Sequence, residues 1–289
     1  MSSTATRSYT LRDRVTLARI PSALALVLAL VVGGCRKKDV AATADPVASS
    51  APKPPPPATA PTPKVSDKAI VTTARTEIAR TGLPPVVLEL PVVSGLRDPG
   101  LDEQVNALLT PEIILGQSLN DVREDAKSAS ASTGSSGVQS ATYRVAYDDH
   151  GVLEIVSTVE SNGAYPSTNV VRALIDLHTG KAITAAQTFR AARIPALVAR
   201  LDVLVRAEVK ASAALKDPLT EPMIRDAHFV ADSLEPFDVG DDGLTFHYDY
   251  GFPHVALALQ PPGEFPIRWS ELAGDLDPAG PVARIQQKP

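Results

Sequence analysis

The sequence predicts an α+β fold, with an antiparallel sheet packed against helices in one compact domain over residues 67–276. Three stretches lead to this prediction. Residues 142–177 alternate apolar and polar side chains in three runs separated by turn signals, as half-buried strands do. Residues 194–212 instead carry an apolar stripe at helical spacing. Alternation then returns between residues 244 and 269.

Residues 1–34 are typical of a bacterial export signal. Four arginines between positions 7 and 19 precede an apolar run over residues 21–32. This run is too short to cross the bilayer, because a spanning helix needs ~20 residues. Val32-Gly33-Gly34 then precedes Cys35, the single cysteine, in the order of a bacterial lipobox. We expect Cys35 to be lipidated and to become the mature N-terminus; the alternative is an uncleaved anchor with a buried thiol.

The charge and the lipid anchor together predict a location. Removal of residues 1–34, with four arginines and one aspartate, takes the net charge from −5 to −8, which argues against a nucleic-acid partner. Two or three acyl chains would hold the protein at the membrane. Arg36 stands where an aspartate favours inner-membrane retention in some bacteria. We therefore expect a lipid-anchored, periplasm-facing protein of the cell envelope, with the outer membrane favoured.

Residues 35–66 are predicted to form a linker. Eight of the 26 prolines fall between positions 46 and 63, in a segment that is otherwise mostly alanine, serine and threonine. Such a composition does not bury a core and favours extended polyproline geometry. A spacer of some 25 residues would reach up to ~80 Å from the bilayer, at ~3.1 Å per residue.

Between residues 68 and 140 the pattern predicts one strand, two helices and a loop. Apolar residues between 86 and 93 indicate the strand, and Pro91, which lacks a ladder N–H, indicates a sheet edge or a bulge. A turn at 98–100 precedes a helix from Leu101, and Thr110-Pro111 is typical of the start of a second helix. Residues 128–140 offer nothing that packs, which predicts a mobile loop.

The remaining elements follow from periodicity. The central strands are marked by Tyr143, Val145 and Tyr147, then Leu153, Ile155 and Val159, then Val171, Ala173, Ile175 and Leu177. The helix over 194–212 is predicted to cover the sheet. Further strands are expected at 229–231, 244–250, 255–259 and 265–269, and the tail from Asp275, including residues 277–289, is expected to be disordered.

Four short motifs, which follow one another along the chain, carry a family resemblance. They are Ser161-Asn162-Gly163-Ala164-Tyr165-Pro166, the segment 175–184 (IDLHTGKAIT), the segment 242–251 (DGLTFHYDYG) and the segment 265–272 (FPIRWSEL). The chain resembles the RsiV-like family, found in the extracellular region of an anti-sigma factor and the N-terminal region of a deacetylase. The resemblance spans roughly residues 85–272 and implies a non-catalytic binding module, because the anti-sigma domain binds lysozyme outside the membrane. Tyr165 stands where the family has a histidine, so that residue's role does not carry over.

Three residues are candidate binding residues: Tyr165, His247 and His254. The two histidines, with Asp249, would form a two-His-one-carboxylate metal site if they met across the turn between the last strands. However, His247 falls on the polar face of its strand, which favours a solvent-exposed side chain. We therefore predict no metal and no cofactor.

No catalytic set stands out in the sequence. No G-x-S-x-G motif is present. Asp238, Asp242, Gly243 and Asp249 match four calcium-loop positions, but a strand follows where a helix should, so residues 240–243 are predicted to be a hairpin turn. A carboxylate pair for glycoside cleavage stays open, because its members can be distant in sequence.

The sequence therefore favours a non-enzymatic module that binds an envelope protein or peptidoglycan. Two alternatives stay open. One is a hydrolase acting on envelope polymers, which a cleft holding two facing carboxylates would support. The other is a structural envelope spacer.

Overall fold

The computed structural model describes residues 68–130 and 136–286 of the chain. The predicted signal peptide, Cys35 and the linker over 35–66 lie outside these residues. Within the described part, the α+β prediction is confirmed: two mostly antiparallel sheets pack together with helices.

The main sheet has six strands in the same spatial order as the chain. They are β1 (Ile70–Arg80), β2 (Leu83–Ser94), β3 (Gly137–Asp149), β4 (Val152–Asn162), β5 (Pro166–Asp176) and β6 (Lys181–Ala182). All neighbours are antiparallel except β2 and β3, which run parallel over only two residue pairs. His150 and Gly151 take positive φ values of 54° and 70° at the β3–β4 turn, as a tight hairpin requires. The three predicted central strands are confirmed.

Strand β2 is an inner strand over only part of its length. Past Leu88 the only strand that pairs with it in the described part of the chain is β1, and this is where Pro91 lies. The side chain of Asn106 takes the place of a third strand there, because its Oδ1 accepts from Val93 N at 2.8 Å and its Nδ2 donates to Val93 O at 2.8 Å. The edge predicted at Pro91 is thus confirmed locally, whereas the outer strand β1 was missed by the sequence analysis.

Three helices connect β2 to β3 and cover one face of the main sheet. They are α1 (Pro99–Ala107), α2 (Pro111–Leu115) and α3 (Leu119–Ser128). Asp98 caps α1, and Ser118 forms a capping box with Asp121 at α3. The helices bury apolar residues against strand residues such as Leu88 and Ile155, and this forms the first core.

The second half of the chain covers the opposite face. Its elements are α4 (Ala185–Thr188), α5 (Ile194–Ala211), α6 (Glu221–Ile224), β7 (Phe237–Val239), β8 (Gly243–His247), β9 (Glu264–Arg268), α7 (Trp269–Leu272) and α8 (Ala283–Gln286). Short 3-10 helices lie at Ala191–Arg193, Ala213–Lys216, Ala231–Leu234 and His254–Leu259. Strands β7, β8 and β9 form a second antiparallel sheet. The predicted long helix, α5, buries Leu201 and Val205 in a second core with Leu174 of β5 and Phe246 of β8.

Strand β4 lies between the two cores. Leu153 and Ile155 face the first core, and Val152 faces the second. Since neighbouring residues of a strand point to opposite faces, Glu154 points towards the second core, where it is fully buried. A buried carboxylate on a central strand is costly unless it is paired or protonated.

Several sequence predictions are wrong. Residues 229–231 form no strand: Ala231 begins a 3-10 helix, and β7 starts only at Phe237. Residues 255–259 also form a 3-10 helix, and Val255 is 81% exposed. The loop predicted over 128–140 is shorter than expected, since Gly137 already begins β3; residues 131–135 lie outside the described part.

The tail predicted to be disordered is folded as far as residue 286. Val282 is fully buried, and Ile285 belongs to the second core. Arg284 donates to the carboxylate of Asp176 at the end of β5 and to Gly151 O. The tail therefore holds α8 against the main sheet. Its buried apolar residues, such as Val282 and Ile285, were too few to predict this packing from the sequence. None of the helices in the described residues is both long and apolar enough to cross a bilayer.

Candidate functional site

The candidate site lies along β5, at the side of the main sheet away from β1. It has three parts: a stacked aromatic pair beside a polar groove, a buried charged cluster, and an apolar groove.

The aromatic pair consists of Tyr165 and His254. Tyr165 stands in the β4–β5 turn, and His254 begins the 3-10 helix His254–Leu259. Their rings stack with centroids 5.2 Å apart and planes inclined by 14°. Nε2 of His254 lies 2.6 Å from Pro166 O, to which it donates. Tyr165 is nonetheless 58% exposed, so the pair presents an aromatic surface to the solvent.

A polar groove of about 910 Å³ adjoins this pair. Its walls carry amide, hydroxyl and carboxylate side chains and a few apolar ones: Gln139, Glu160, Ser161, Asn162, Ser167, Thr168, Asn169, Asp249, Phe252, Leu257 and Gln260, with Pro166 and His254. Val255, Leu257 and Leu259 of the adjoining 3-10 helix are 81%, 47% and 42% exposed. We call Tyr165, His254, these three residues and the groove the binding face.

A charged cluster lies where the two sheets meet; its Glu154 is fully buried, and Arg172, Asp238 and His247 are 16–20% exposed. Arg172 of β5 donates its Nε to Asp238 Oδ1 of β7 at 2.6 Å, and His247 Nε2 of β8 lies 2.9 Å from Asp238 Oδ2. Glu154 Oε2 of β4 accepts from Val239 N at 2.7 Å. Asp238 therefore has a polar partner beside each of its oxygens, and the Glu154 carboxyl group lies close enough to be a further hydrogen-bonding partner.

The two carboxyl groups hold one proton between them. Burial raises the pKa of Glu154 to about 8; the Val239 N–H opposes this rise, and the negative charge of Asp238 adds to it. Burial acts in the same direction on Asp238, but hydrogen bonds from His247 and Glu154 and the charges of His247 and Arg172 outweigh it, so the pKa of Asp238 falls to about 2. At neutral pH Glu154 is therefore a neutral acid that donates to the Asp238 carboxylate.

Arg172 also lines an apolar groove of about 440 Å³. The other walls are Leu108, Ile113, Ala173, Leu174, Ile175, Ala182, Ile183, Thr184, Glu235, Pro236 and Phe237. Glu235 is engaged at the start of α4, where its Oε1 accepts from Ala185 N at 2.5 Å. The Nε of Arg172 is held by Asp238, and its two terminal nitrogens have no hydrogen-bond partner among the described residues.

The structure brings two of the three predicted residues together. Tyr165 and His254 stack, whereas His247 belongs to the charged cluster. The prediction that His247 is solvent-exposed is wrong: its side chain is only 16% exposed, because β7 and the main sheet cover the face that the strand pattern assigns to water. In the described residues no three metal-binding side chains converge.

The sequence analysis missed Glu154 and Arg172. One signal was available, since Glu154 interrupts an otherwise apolar run over residues 152–156. Arg172 carried no signal, because its partner Asp238 lies 66 residues away. The predicted hairpin turn over 240–243 is confirmed, with Gly240 N donating to Gly243 O at 2.9 Å between β7 and β8.

Comparison with known proteins gives a fold and no activity. No protein-family model and no curated protein matches the sequence. A DUF3298 family member from Bacteroides fragilis NCTC 9343 is similar in structure, with a TM-score of 0.53 and 14% identity over 78% of this chain and 100% of that one. A DUF3298 family protein from Pseudomonas aeruginosa PAO1 gives a TM-score of 0.50 and 15% identity over 74% of this chain and 97% of that one. The chain thus shares the fold of bacterial proteins of the DUF3298 family, whose domain has no known function.

Proposed function

We propose that this protein is a bacterial cell-envelope lipoprotein, anchored through Cys35, whose α+β domain is a non-catalytic binding module for an envelope protein. Residues 1–66 support the location in the cell envelope: they contain a signal-like segment, a sole cysteine after small residues, and a proline-rich spacer. Arg36 after that cysteine favours the outer membrane. The RsiV-like resemblance of residues 85–272 supports this proposal.

The observation that carries the proposal is the make-up of the binding face. Tyr165, Val255, Leu257 and Leu259 expose large apolar surfaces around a groove with polar walls. Large contiguous apolar patches are rare on the surface of soluble monomers, and where they occur they usually mark an interaction site. An apolar and aromatic centre with a polar rim is also the usual anatomy of a protein–protein interface. A polymer such as peptidoglycan would need fewer exposed aliphatic side chains and more hydrogen-bonding groups.

Site-specific photo-crosslinking in cells tests the binding role. A photoreactive residue at Val255 of the full-length protein should give a discrete adduct with an envelope protein. The same residue at Val203 of α5, where the valine is 65% exposed against 81% at Val255, is the matched control and should give none. Tyr165→Ala should reduce the adduct at Val255 several-fold. Equal labelling at the two positions, or no adduct at either, would contradict a binding face at Tyr165.

A hydrolase remains the second candidate, because Glu160 and Asp249 both line the polar groove. Their carboxylates would be the acid and base for cleavage of a glycan strand. Purified protein incubated with peptidoglycan distinguishes the two roles: a hydrolase releases soluble fragments and loses that activity in Glu160→Gln and Asp249→Asn. A binding module releases none in any of the three proteins.

The lipid anchor has its own test. Cys35→Ser should shift the protein from the membrane fraction to the soluble periplasmic fraction after cell breakage. Retention of the variant in the membrane would favour an uncleaved anchor over residues 21–32.

A further inference from the structure

The outer edge of β5 is open over Thr168–Arg172. In an antiparallel strand, alternate residues direct both N–H and C=O to the same side. Leu174 O accepts from Ile183 N, and Pro166 O accepts from His254, so these two residues point away from β4. Thr168, Val170 and Arg172 are the alternate residues between them, so their N–H and C=O groups also point away from β4. Their outward N–H and C=O groups have no partner among the described residues, because β6 pairs only with Ile175 and Asp176.

This edge lacks the features that usually keep a strand edge from pairing. Residues 167–171 are Ser, Thr, Asn, Val and Val, and the pairing with β4 runs without a bulge. The one charged residue of the open stretch, Arg172, is paired with Asp238. The opposite edge, β1, is protected: it carries Arg75, Glu77 and Arg80, and its register shifts near its end. Charges and bulges are the common means of blocking edge-to-edge association. Of the two edges compared, β5 is therefore the one that is open to pairing.

Both grooves of the candidate site adjoin this edge. The polar groove includes residues 166–169, and the apolar groove includes residues 172–175. In strand addition, main-chain hydrogen bonds give affinity and pockets for side chains give specificity. A chain laid along five residues covers about 17 Å at ~3.4 Å per residue, which places its two ends in the two grooves.

We propose that the β5 edge takes up an extended segment of a partner protein as an additional strand. The segment is uncharged where it faces Val170, it places an apolar side chain in the apolar groove, and it directs a carboxylate to the free terminal nitrogens of Arg172. The guanidinium geometry suits a carboxylate. This inference rests on the proposed binding function and specifies how the partner is held.

Val170→Pro is the decisive variant, with Val170→Thr as its matched control. Proline removes the outward N–H and adds bulk at the edge, and it is tolerated there because that N–H does not serve the β4 ladder. Threonine keeps the N–H and the shape. Val170→Lys, which adds a charge to the edge, is a second variant should the proline variant unfold below the temperature of the wild type.

The probe is a phage-displayed library of random decapeptides, selected on the full chain in detergent micelles. Enriched peptides should carry an acidic residue or a free C-terminus at one end, and their affinity should fall about tenfold or more in Val170→Pro but less than about threefold in Val170→Thr. Amide exchange should slow at Thr168, Val170 and Arg172 on binding, and not at the residues between them. No enrichment, equal binding by the proline variant, or protection without alternation would overturn the proposal.

Two further outcomes separate this inference from the proposed function. If Val255 crosslinks a partner equally well in the Val170→Pro background, the binding function stands and strand addition is wrong. If sedimentation finds a dimer that the proline variant abolishes, the occupant is a second copy of this chain, and the partner segment is wrong.

Discussion

Replacement of Glu154 by glutamine should stabilise the protein at neutral pH, although Glu154 is fully buried on the central strand. Glutamine keeps the length of the side chain and both polar contacts of the neutral acid: its carbonyl accepts from Val239 N, and its amide donates to Asp238. The substitution therefore removes the titration of this group and leaves its packing in place.

The sign follows from linkage. Burial holds the pKa of Glu154 at about 8 in the folded state, and the ordinary value is 4.5. The stability that the protonated acid contributes is complete below pH 4.5 and is lost as the pH rises towards 8, because only the unfolded chain releases its proton in this window. The slope is roughly 1.4 kcal/mol per pH unit. The stability of Glu154→Gln has no such slope. Its free energy of unfolding should therefore exceed that of the wild type by about 3 kcal/mol at pH 7 and by less than ~1 kcal/mol at pH 5.

Urea denaturation at pH 5, 6, 7 and 8 measures the difference. Glu160→Gln is the matched control, because it makes the same substitution at an exposed position of the same strand, and its stability should run parallel to that of the wild type. If the free energy of unfolding of Glu154→Gln differs from that of the wild type by the same amount at pH 5 and pH 8, Glu154 does not hold the buried proton. A loss of more than about 2 kcal/mol at pH 8 would show that glutamine does not replace its contacts.

Three further substitutions test the packing that positions the site. Arg284→Ala leaves the buried carboxylate of Asp176 without its cation and should cost about 3 kcal/mol by urea denaturation; an unchanged midpoint would mean that the tail does not fasten the sheet. Gly243→Ala places a Cβ 2.0 Å from a backbone carbonyl of β9 and should destabilise the protein strongly, whereas Gly240→Ala meets nothing closer than 3.6 Å and should be mild; equal midpoints would contradict this hairpin geometry. Leu153→Ala should cost 2–5 kcal/mol, the range of a buried leucine truncation, and a smaller loss would place Leu153 outside the first core.

The sequence was most informative where apolar runs are bounded by turn signals or follow one period. Helix α5 buries Leu197, Leu201, Val205 and Val209 on one face, and its periodicity predicted it correctly. The three central strands were also predicted correctly, although β4 is buried on both faces and Val145 of β3 is 41% exposed. Strand β1 buries no residue fully, so its sequence carries no such pattern; it is a strand because β2 pairs along its length. The apolar alternation of residues 255–259 predicted a strand, yet Val255 and Leu257 are exposed, because these side chains face solvent and not a core.

The candidate site was harder to predict, since its contacts join distant segments. Tyr165 and His254 were named from the sequence, but their stacking brings together a hairpin turn and a 3-10 helix 89 residues apart in the chain. The buried pair of Glu154 and Asp238 joins β4 to β7, and no local pattern couples these strands. Pairings of this kind are fixed by the packing of the two sheets and become visible only once that packing is known.

Arg172 connects the interior of the protein to its surface. Asp238 fixes its Nε, and hydrogen bonds from His247 and Glu154 hold the pKa of Asp238 low. The guanidinium is therefore held in one orientation with its terminal nitrogens beside the apolar groove. A side chain that is already ordered loses less entropy when it binds a carboxylate. On the proposed binding function, this acid pair lowers stability but orders a residue that recognises the partner. The glutamine variant separates the two roles: it keeps Asp238 ionised and bonded, so it should raise stability at neutral pH and leave the affinity for an acidic peptide unchanged.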